Sequence, residues 1–202
     1  MAPLMAASVA WYVTGRFYVS SDGKTEQDLG YFLHLEGLQG PLFTDMKNMS
    51  EATARLTFRS EPFTAAKVTN GSLSLSMDVV GDFSLYLKDA KHVGASFEHP
   101  DSFSDGKRIA TFRRASVVAG GAFAGMPATH RALSLNVFTA RLVWSTEFDF
   151  EGQRYDLRQL LPHGITQWGE AGPTVVTPPP KDFSSVLPFF GSAVAVGAPH
   201  ER

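Results

Sequence analysis

The sequence AWYVTGRFYVSSDGK at residues 10–24 has the two-residue periodicity of an extended chain with two faces. Trp11 begins one face and Tyr12 begins the other, and this alternation is typical of a β-strand. Asp22-Gly23 interrupts the alternation, and such a pair supplies the positive φ angle that a tight hairpin requires. The alternation resumes over residues 29–37, so this part of the chain predicts a β-hairpin.

The same alternation recurs along the chain and predicts eight or nine strands in total. Further strands are expected at residues 52–59, 72–79, 83–88, 108–118 and 131–150, with 72–79 and 83–88 paired as a hairpin and another hairpin turning at Glu151-Gly152. Helical patterning is confined to two short stretches, 156–161 and 183–190. An open meander leaves two exposed edges, and closure removes both. We therefore predict an all-β fold: a single closed antiparallel barrel of about eight strands, calycin- or lipocalin-like.

The C-terminal part of the chain differs from the rest in composition. Pro178-Pro179-Pro180 imposes an extended polyproline conformation, so we expect residues 1–172 to form the barrel and residues 173–202 to form a proline-led tail. Residues 183–196 are too apolar to stay exposed. They are expected either to pack on the barrel or to be exchanged with a partner subunit in a homodimer.

Composition excludes several classes of protein. The 202 residues contain no cysteine, which removes disulfides, thiolate catalysis and cysteine-ligated metal centres. The net charge is -2 and no basic stripe is present, so nucleic acid is not an expected partner. No run of ~20 apolar residues predicts a membrane span, and residues 1–13 lack the basic start of a signal peptide. A cytoplasmic location is expected.

Sequence motifs for cofactors and metals are not found. The chain has no phosphate-binding glycine loop, no dinucleotide fingerprint and no nucleophile-elbow serine. His92 and His99 share a loop with Asp101 and Asp105, but their spacing fits solvated loop residues better than a metal site. We expect neither a metal nor a cofactor.

The candidate site residues are polar and aromatic side chains on strands that are otherwise apolar, or at a barrel rim. Small-molecule pockets combine an apolar cavity with a few convergent polar groups. The candidate catalytic residues are His34, Arg113, Arg141 and His163, and the candidate ligand-binding residues are Asn136, Phe138, Trp144, Tyr155, Gln167 and Trp168. For each, an alternative is open: a strand arginine can be an outward, solvated charge, and His34 can be structural. Residues 148–168 can form a ligand-contacting rim or an aromatic plug that closes one barrel end.

Several loose patterns in the sequence resemble those of a known family. They are Gly30-Tyr31-Phe32 with Glu36-Gly37, residues 50–54 leading to Thr57-Phe58-Arg59, Pro100-Asp101-Ser102-Phe103 with Asp105-Gly106, residues 109–114 and residues 148–168. Together they resemble the allene-oxide-cyclase-like group of calycin-type barrels over most of residues 15–168. The resemblance implies an oligomeric eight-stranded barrel that folds a flexible apolar substrate into one conformation. It places no family catalytic residue in this chain, and it implies cyclisation chemistry that includes pericyclic and hetero-Diels–Alder steps.

The physical requirements of a cyclisation agree with what this chain offers. A cyclisation needs no nucleophile, metal or thiol, but it does need a water-poor cavity that holds a near-attack geometry and one or two hydrogen-bond donors. The leading hypothesis is a cofactor-independent cyclase, isomerase or lyase acting on an apolar natural-product intermediate, with a histidine available as general acid or base in a dehydration. The alternatives are a lipocalin-like carrier of an apolar small molecule, and an interaction protein whose functional surface is residues 183–196.

Overall fold

The computed structural model describes residues 2–70, 73–78, 81–89, 94–114, 119–123, 136–172 and 174–197. Helix within these ranges is limited to a 3-10 turn, Pro100–Ser104, and the single turn α1, Leu157–Leu160. No helix in the described ranges is long and apolar enough to cross a membrane. The strands are β1 (Val9–Ser20), β2 (Glu26–Leu35), β3 (Leu56–Ser60), β4 (Ala65–Asn70), β5 (Leu73–Asp78), β6 (Asp82–Leu87), β7 (Lys107–Arg114), β8 (Ala119–Phe123), β9 (Asn136–Ser145), β10 (Phe148–Phe150), β11 (Gln153–Tyr155), β12 (Ile165–Ala171) and β13 (Phe183–Ala195).

Eight of these strands form a closed antiparallel barrel in the order β1-β2-β3-β6-β7-β9-β12-β13, with β13 hydrogen-bonded back to β1. Each strand therefore neighbours the next barrel strand along the chain, which confirms the predicted nearly all-β barrel and its up-and-down connectivity. The predicted first hairpin is also present, because β1 and β2 pair antiparallel, with one register shift between Tyr12 and Val13, and Gly23 in their turn has a φ of 68°.

Two segments take different partners from those expected. β5 does not pair with β6; it lies between β4 and β8 in a separate three-stranded sheet, while both edges of β6 are used by β3 and β7. An alternating strand pattern shows which residues share a face, but it does not specify the partner, so the predicted hairpin between residues 72–79 and 83–88 is wrong.

The apolar part of the proline-led tail is a strand of the barrel. β13 pairs with β1 on one side and β12 on the other, so the expected domain boundary at residue 172 falls between two neighbouring barrel strands. Leu187 and Ala193 are buried on the inner face of β13, while Phe190 between them is exposed. This alternation has a period of two, so the weak helical pattern at residues 183–190 was a wrong prediction.

One end of the barrel is closed by the hairpin β10–β11 together with α1, which we call the plug (residues 148–160). Phe148, Phe150 and Tyr155 of the plug are buried in one continuous cluster with inward side chains of the barrel such as Leu35 and Leu56. Of the two interpretations of residues 148–168, the structure supports an aromatic plug for this part. The opposite end of the barrel lies away from the plug.

A second cluster covers the outside of the barrel, where residues 94–105 pack over Tyr18 of β1 and Leu29 of β2. The Tyr18 hydroxyl donates a hydrogen bond to the Phe97 carbonyl oxygen over 2.9 Å. Burial raises the pKa of Tyr18 to about 12. The outward side chains Tyr18 and Leu29 are therefore buried as well, because residues 94–105 cover them.

The raised pKa of Tyr18 predicts a loss of stability in alkaline solution. The unfolded tyrosine ionises near pH 10, whereas the folded one keeps its proton to about pH 12. The contribution of Tyr18 is therefore fully present below about pH 10 and is lost as the pH rises towards 12. Urea unfolding from pH 8 to 12 should show a shallower decline for Tyr18→Phe than for the wild type. Tyr12→Phe, at an exposed position of the same strand, should follow the wild type. Equal slopes for the wild type and Tyr18→Phe would contradict the argument.

Candidate functional site

The candidate site is a cavity inside the barrel, formed by inward side chains of seven strands. Its lining residues are Trp11, Val13, Asp28, Phe32, Phe58, Phe83, Arg114, Phe138 and Gln167. The enclosed cavity measures about 10 Å³, room for about one water molecule, and is far below the ~300 Å³ at which ligand pockets usually begin. A ligand of ordinary size must therefore displace an aromatic ring as it enters.

A buried ion pair between Asp28 and Arg114 is the main charged feature of the cavity wall. Arg114 Nη2 donates to both carboxylate oxygens of Asp28, over 2.7 and 2.6 Å. The two side chains are only 3% and 7% exposed. Asp28 lies near the start of β2 and Arg114 ends β7, so in this antiparallel barrel both lie towards the end opposite the plug.

Aromatic rings surround the ion pair and exclude water from it. The Arg114 guanidinium lies 5.1, 5.5 and 4.9 Å from the ring centres of Phe63, Phe83 and Phe138. Such contacts are attractive because the faces of aromatic rings carry partial negative charge. In this poorly solvated setting, charge interactions are stronger than in water, so the pair can act strongly on a bound molecule.

The cavity wall also holds a polar pair, Trp11 and Gln167, near the plug ends of β1 and β12. The Trp11 indole N–H donates to Gln167 Oε1 over 3.0 Å. Trp11 also makes edge-to-face contacts with Phe32 and Phe112, with ring centres 5.6 and 5.5 Å apart. These contacts hold the indole in one orientation, and the indole in turn holds the amide of Gln167.

The structure brings two of the sequence-predicted residues into the cavity wall, Phe138 and Gln167. Asn136 is the first residue of β9, and its side chain lies outside the part of the chain that the structure describes, as does all of His92. Tyr155 is buried in the plug, where its hydroxyl donates to Gln153 Oε1 over 3.0 Å. The same hydroxyl accepts a hydrogen bond from the Gln39 backbone N–H over 3.2 Å, so the partners of Tyr155 lie in the plug and in the loop after β2, not in the cavity.

The four predicted catalytic residues are all exposed and lie outside the cavity. Arg113 and Arg141 lie opposite each other on the outer faces of β7 and β9. Hydrogen bonds of 2.8 and 2.9 Å to the Asp82 carboxylate raise the pKa of the Arg113 guanidinium. His34 Nε2 lies 3.0 Å from a carboxylate oxygen of its neighbour Glu36. His163 occupies the turn that precedes β12.

The two predicted ligand-binding tryptophans lie on the outer wall of the barrel. Trp144 is 38% exposed and packs beneath the Arg108 guanidinium, 4.6 Å from its ring centre. Trp168 is 43% exposed and lies opposite Val137 of the neighbouring strand. Side chains alternate along β12, so Gln167 points inward and its neighbour Trp168 points outward.

Sequence reasoning missed Asp28 as a site residue and included Arg114 only within the family resemblance. Both residues occupy inward positions: Asp28 shares its face with Phe32, and Arg114 shares its face with Phe112. In the sequence, the only indication was that one acidic and one basic residue each fall on the same face of a predicted strand as an aromatic residue. That signal identifies a site only after the inward faces are known.

Among the described residues, no group of three or more His, Asp or Glu side chains is arranged to hold a metal ion. The chain was also compared with models of protein families, with curated proteins and with solved structures. None of the three comparisons finds a match.

Proposed function

We propose that the barrel binds a small, mostly apolar molecule in its interior and promotes its cyclisation or isomerisation without a cofactor. The observation that supports this proposal is the Asp28–Arg114 ion pair in the wall of an aromatic cavity. The resemblance to the allene-oxide-cyclase-like group implies the same class of reaction.

A buried ion pair is a poor stabilising device, which favours a functional role for this one. Removing two charges from water costs several kcal/mol per ion, and well-packed apolar replacements are often as stable or more stable. In the proposed reaction, Arg114 stabilises negative charge that develops on a substrate oxygen. Asp28 accepts a proton from one substrate atom and returns it to another, so that the product is an isomer of the substrate. The aromatic walls hold the reacting atoms close together.

The test uses purified protein and an organic-solvent extract of small molecules from the native host. After incubation and re-extraction, liquid chromatography with mass spectrometry should reveal a compound of unchanged mass and altered retention time. The double variant Asp28→Leu/Arg114→Met should not form it. Arg113→Ala, which removes an exposed charge from the adjacent position, should form it at the wild-type rate. If no compound changes its retention time with the wild type, the catalytic proposal is rejected.

A carrier function is the second candidate, and the plug favours it. Because the plug closes one end, an apolar ligand would enter from the opposite end and displace the aromatic rings that line the cavity. In the same experiment, a carrier would retain a compound through gel filtration and return it with both mass and retention time unchanged.

A further inference from the structure

The orientation of the Gln167 amide inside the barrel is fixed by chemistry. Gln167 is 6% exposed, and its Oε1 is the atom that faces the Trp11 indole. An indole N–H can donate but cannot accept, so the amide oxygen and not the amide nitrogen must point towards Trp11. The two N–H bonds on Nε2 therefore point away from Trp11.

The Gln167 Nε2 group forms no hydrogen bond with any residue that the structure describes; the side chain is 6% exposed, and Nε2 keeps some surface accessible to water. On β13, Gln167 is paired with Ala193, and Gly191 lies diagonally across from it; a Cβ added at Gly191 would lie 3.4 Å from Nε2. The missing side chain at Gly191 leaves room beside the amide. A bound molecule that brings an acceptor to Nε2 takes the place of water there and gains a hydrogen bond in a poorly solvated site.

The rest of the cavity wall limits what kind of acceptor can bind. Phe32, Phe58, Phe83 and Phe138 offer ring faces and edges, which pack well against planar unsaturated groups. The Asp28 carboxylate already neutralises Arg114 and would repel a second carboxylate in the same small space. The cavity therefore suits an uncharged acceptor on a planar conjugated frame.

We propose that Gln167 donates a hydrogen bond to a carbonyl oxygen of the ligand, and that the ligands of this barrel are uncharged conjugated carbonyl compounds such as aryl ketones, enones or unsaturated lactones. This inference rests on the part of the proposed function that places a small molecule in the interior. It does not depend on whether that molecule is converted. Trp11 acts as a positioning residue, since it holds the amide in its donating orientation.

Two probes of matched shape test the inference. Acetophenone carries a carbonyl oxygen, and α-methylstyrene carries a methylene group in its place. Dissociation constants for both are measured by NMR titration on the wild type, Gln167→Met and Trp11→Phe. The preference for acetophenone over α-methylstyrene should fall about 2- to 10-fold in Gln167→Met, the range expected for one hydrogen bond. It should also fall in Trp11→Phe, because the amide is then free to turn over. An equal preference in the wild type and Gln167→Met overturns the inference, as does a wild-type barrel that binds neither probe.

A measurement on the unaltered protein guards against a variant that fails to fold. The carbonyl stretching band of ¹³C-labelled acetophenone bound to the wild type should lie at lower frequency than in hexane, because a hydrogen bond weakens the C=O bond. A band at the hexane position overturns the inference. A carbonyl preference without any turnover would leave the role of Gln167 intact and reject only the catalytic proposal. Turnover without a carbonyl preference would leave the catalytic proposal intact and reject only the role of Gln167.

Discussion

Arg114→Met is expected to lower the free energy of unfolding by about 3–5 kcal/mol, the cost found when one partner of a buried ion pair is removed. The substitution leaves the Asp28 carboxylate 7% exposed, among aromatic rings and without its cationic partner. Methionine fills much of the space of the arginine stem, so lost packing explains little of this effect. Urea unfolding followed by circular dichroism measures the change.

The matched control is the double variant Asp28→Leu/Arg114→Met. It removes both charges and places apolar side chains against Phe63, Phe83 and Phe138, so its stability should return to within about 1 kcal/mol of the wild type or exceed it. A double variant as unstable as Arg114→Met would show that the uncompensated charge is not the cause. Because the double variant is expected to fold and lacks both charges, it is also the right variant for testing the proposed chemistry.

Gly30→Ala is expected to destabilise the barrel by about 3 kcal/mol or more, at the upper end of the range for overpacked interiors. Gly30 of β2 lies opposite Gly15 of β1, and the two backbones approach closely there. A Cβ on Gly30 would lie 2.6 Å from Gly15 Cα and 2.9 Å from a ring carbon of Phe58, and closer still to the Thr14 carbonyl oxygen. Backbone atoms in a paired strand cannot move away without breaking the pairing.

Gly81→Ala is the control for this prediction. A Cβ at Gly81 would make ordinary van der Waals contacts, the nearest at 3.5 Å, and its φ is not positive. Its stability should stay within about 0.5 kcal/mol of the wild type or rise slightly, because alanine restricts the unfolded chain. Thermal and urea unfolding of both variants decide the matter. If Gly30→Ala and Gly81→Ala lose the same free energy of unfolding, the close contacts at Gly30 do not destabilise the variant, and the prediction is wrong.

The sequence predicts the strands and the closed barrel because both follow from local patterns. Alternation and turn residues define the hairpin of β1 and β2, and a meander of eight strands has an evident reason to close. The pairing of β5 with β4 and β8 was not predictable in this way, because a one-sided alternation fits any sheet with one buried face.

The site was harder to predict because a period of two does not say which face is inward. Tyr18 points out of the barrel and is nevertheless buried under residues 94–105, while Trp168 points out and is exposed. Apolar side chains therefore lie on both faces of these strands. In Arg113-Arg114, only the second arginine is inward, and choosing between them requires the strand register. Two of the predicted ligand-binding residues, Phe138 and Gln167, lie in the cavity wall.

The closure of the barrel between β1 and β13 has a consequence for its biosynthesis. Val9 pairs with Val194, so the first barrel strand to leave the ribosome must wait for the eighth before its outer edge is satisfied. Until then, β1 and β12 each present an unpaired edge beside a row of aromatic side chains. Contacts so distant in sequence slow folding, and exposed edges of this kind invite association between nascent chains. We expect the growing chain to need a chaperone or ribosome-bound factor until residue 195 has emerged.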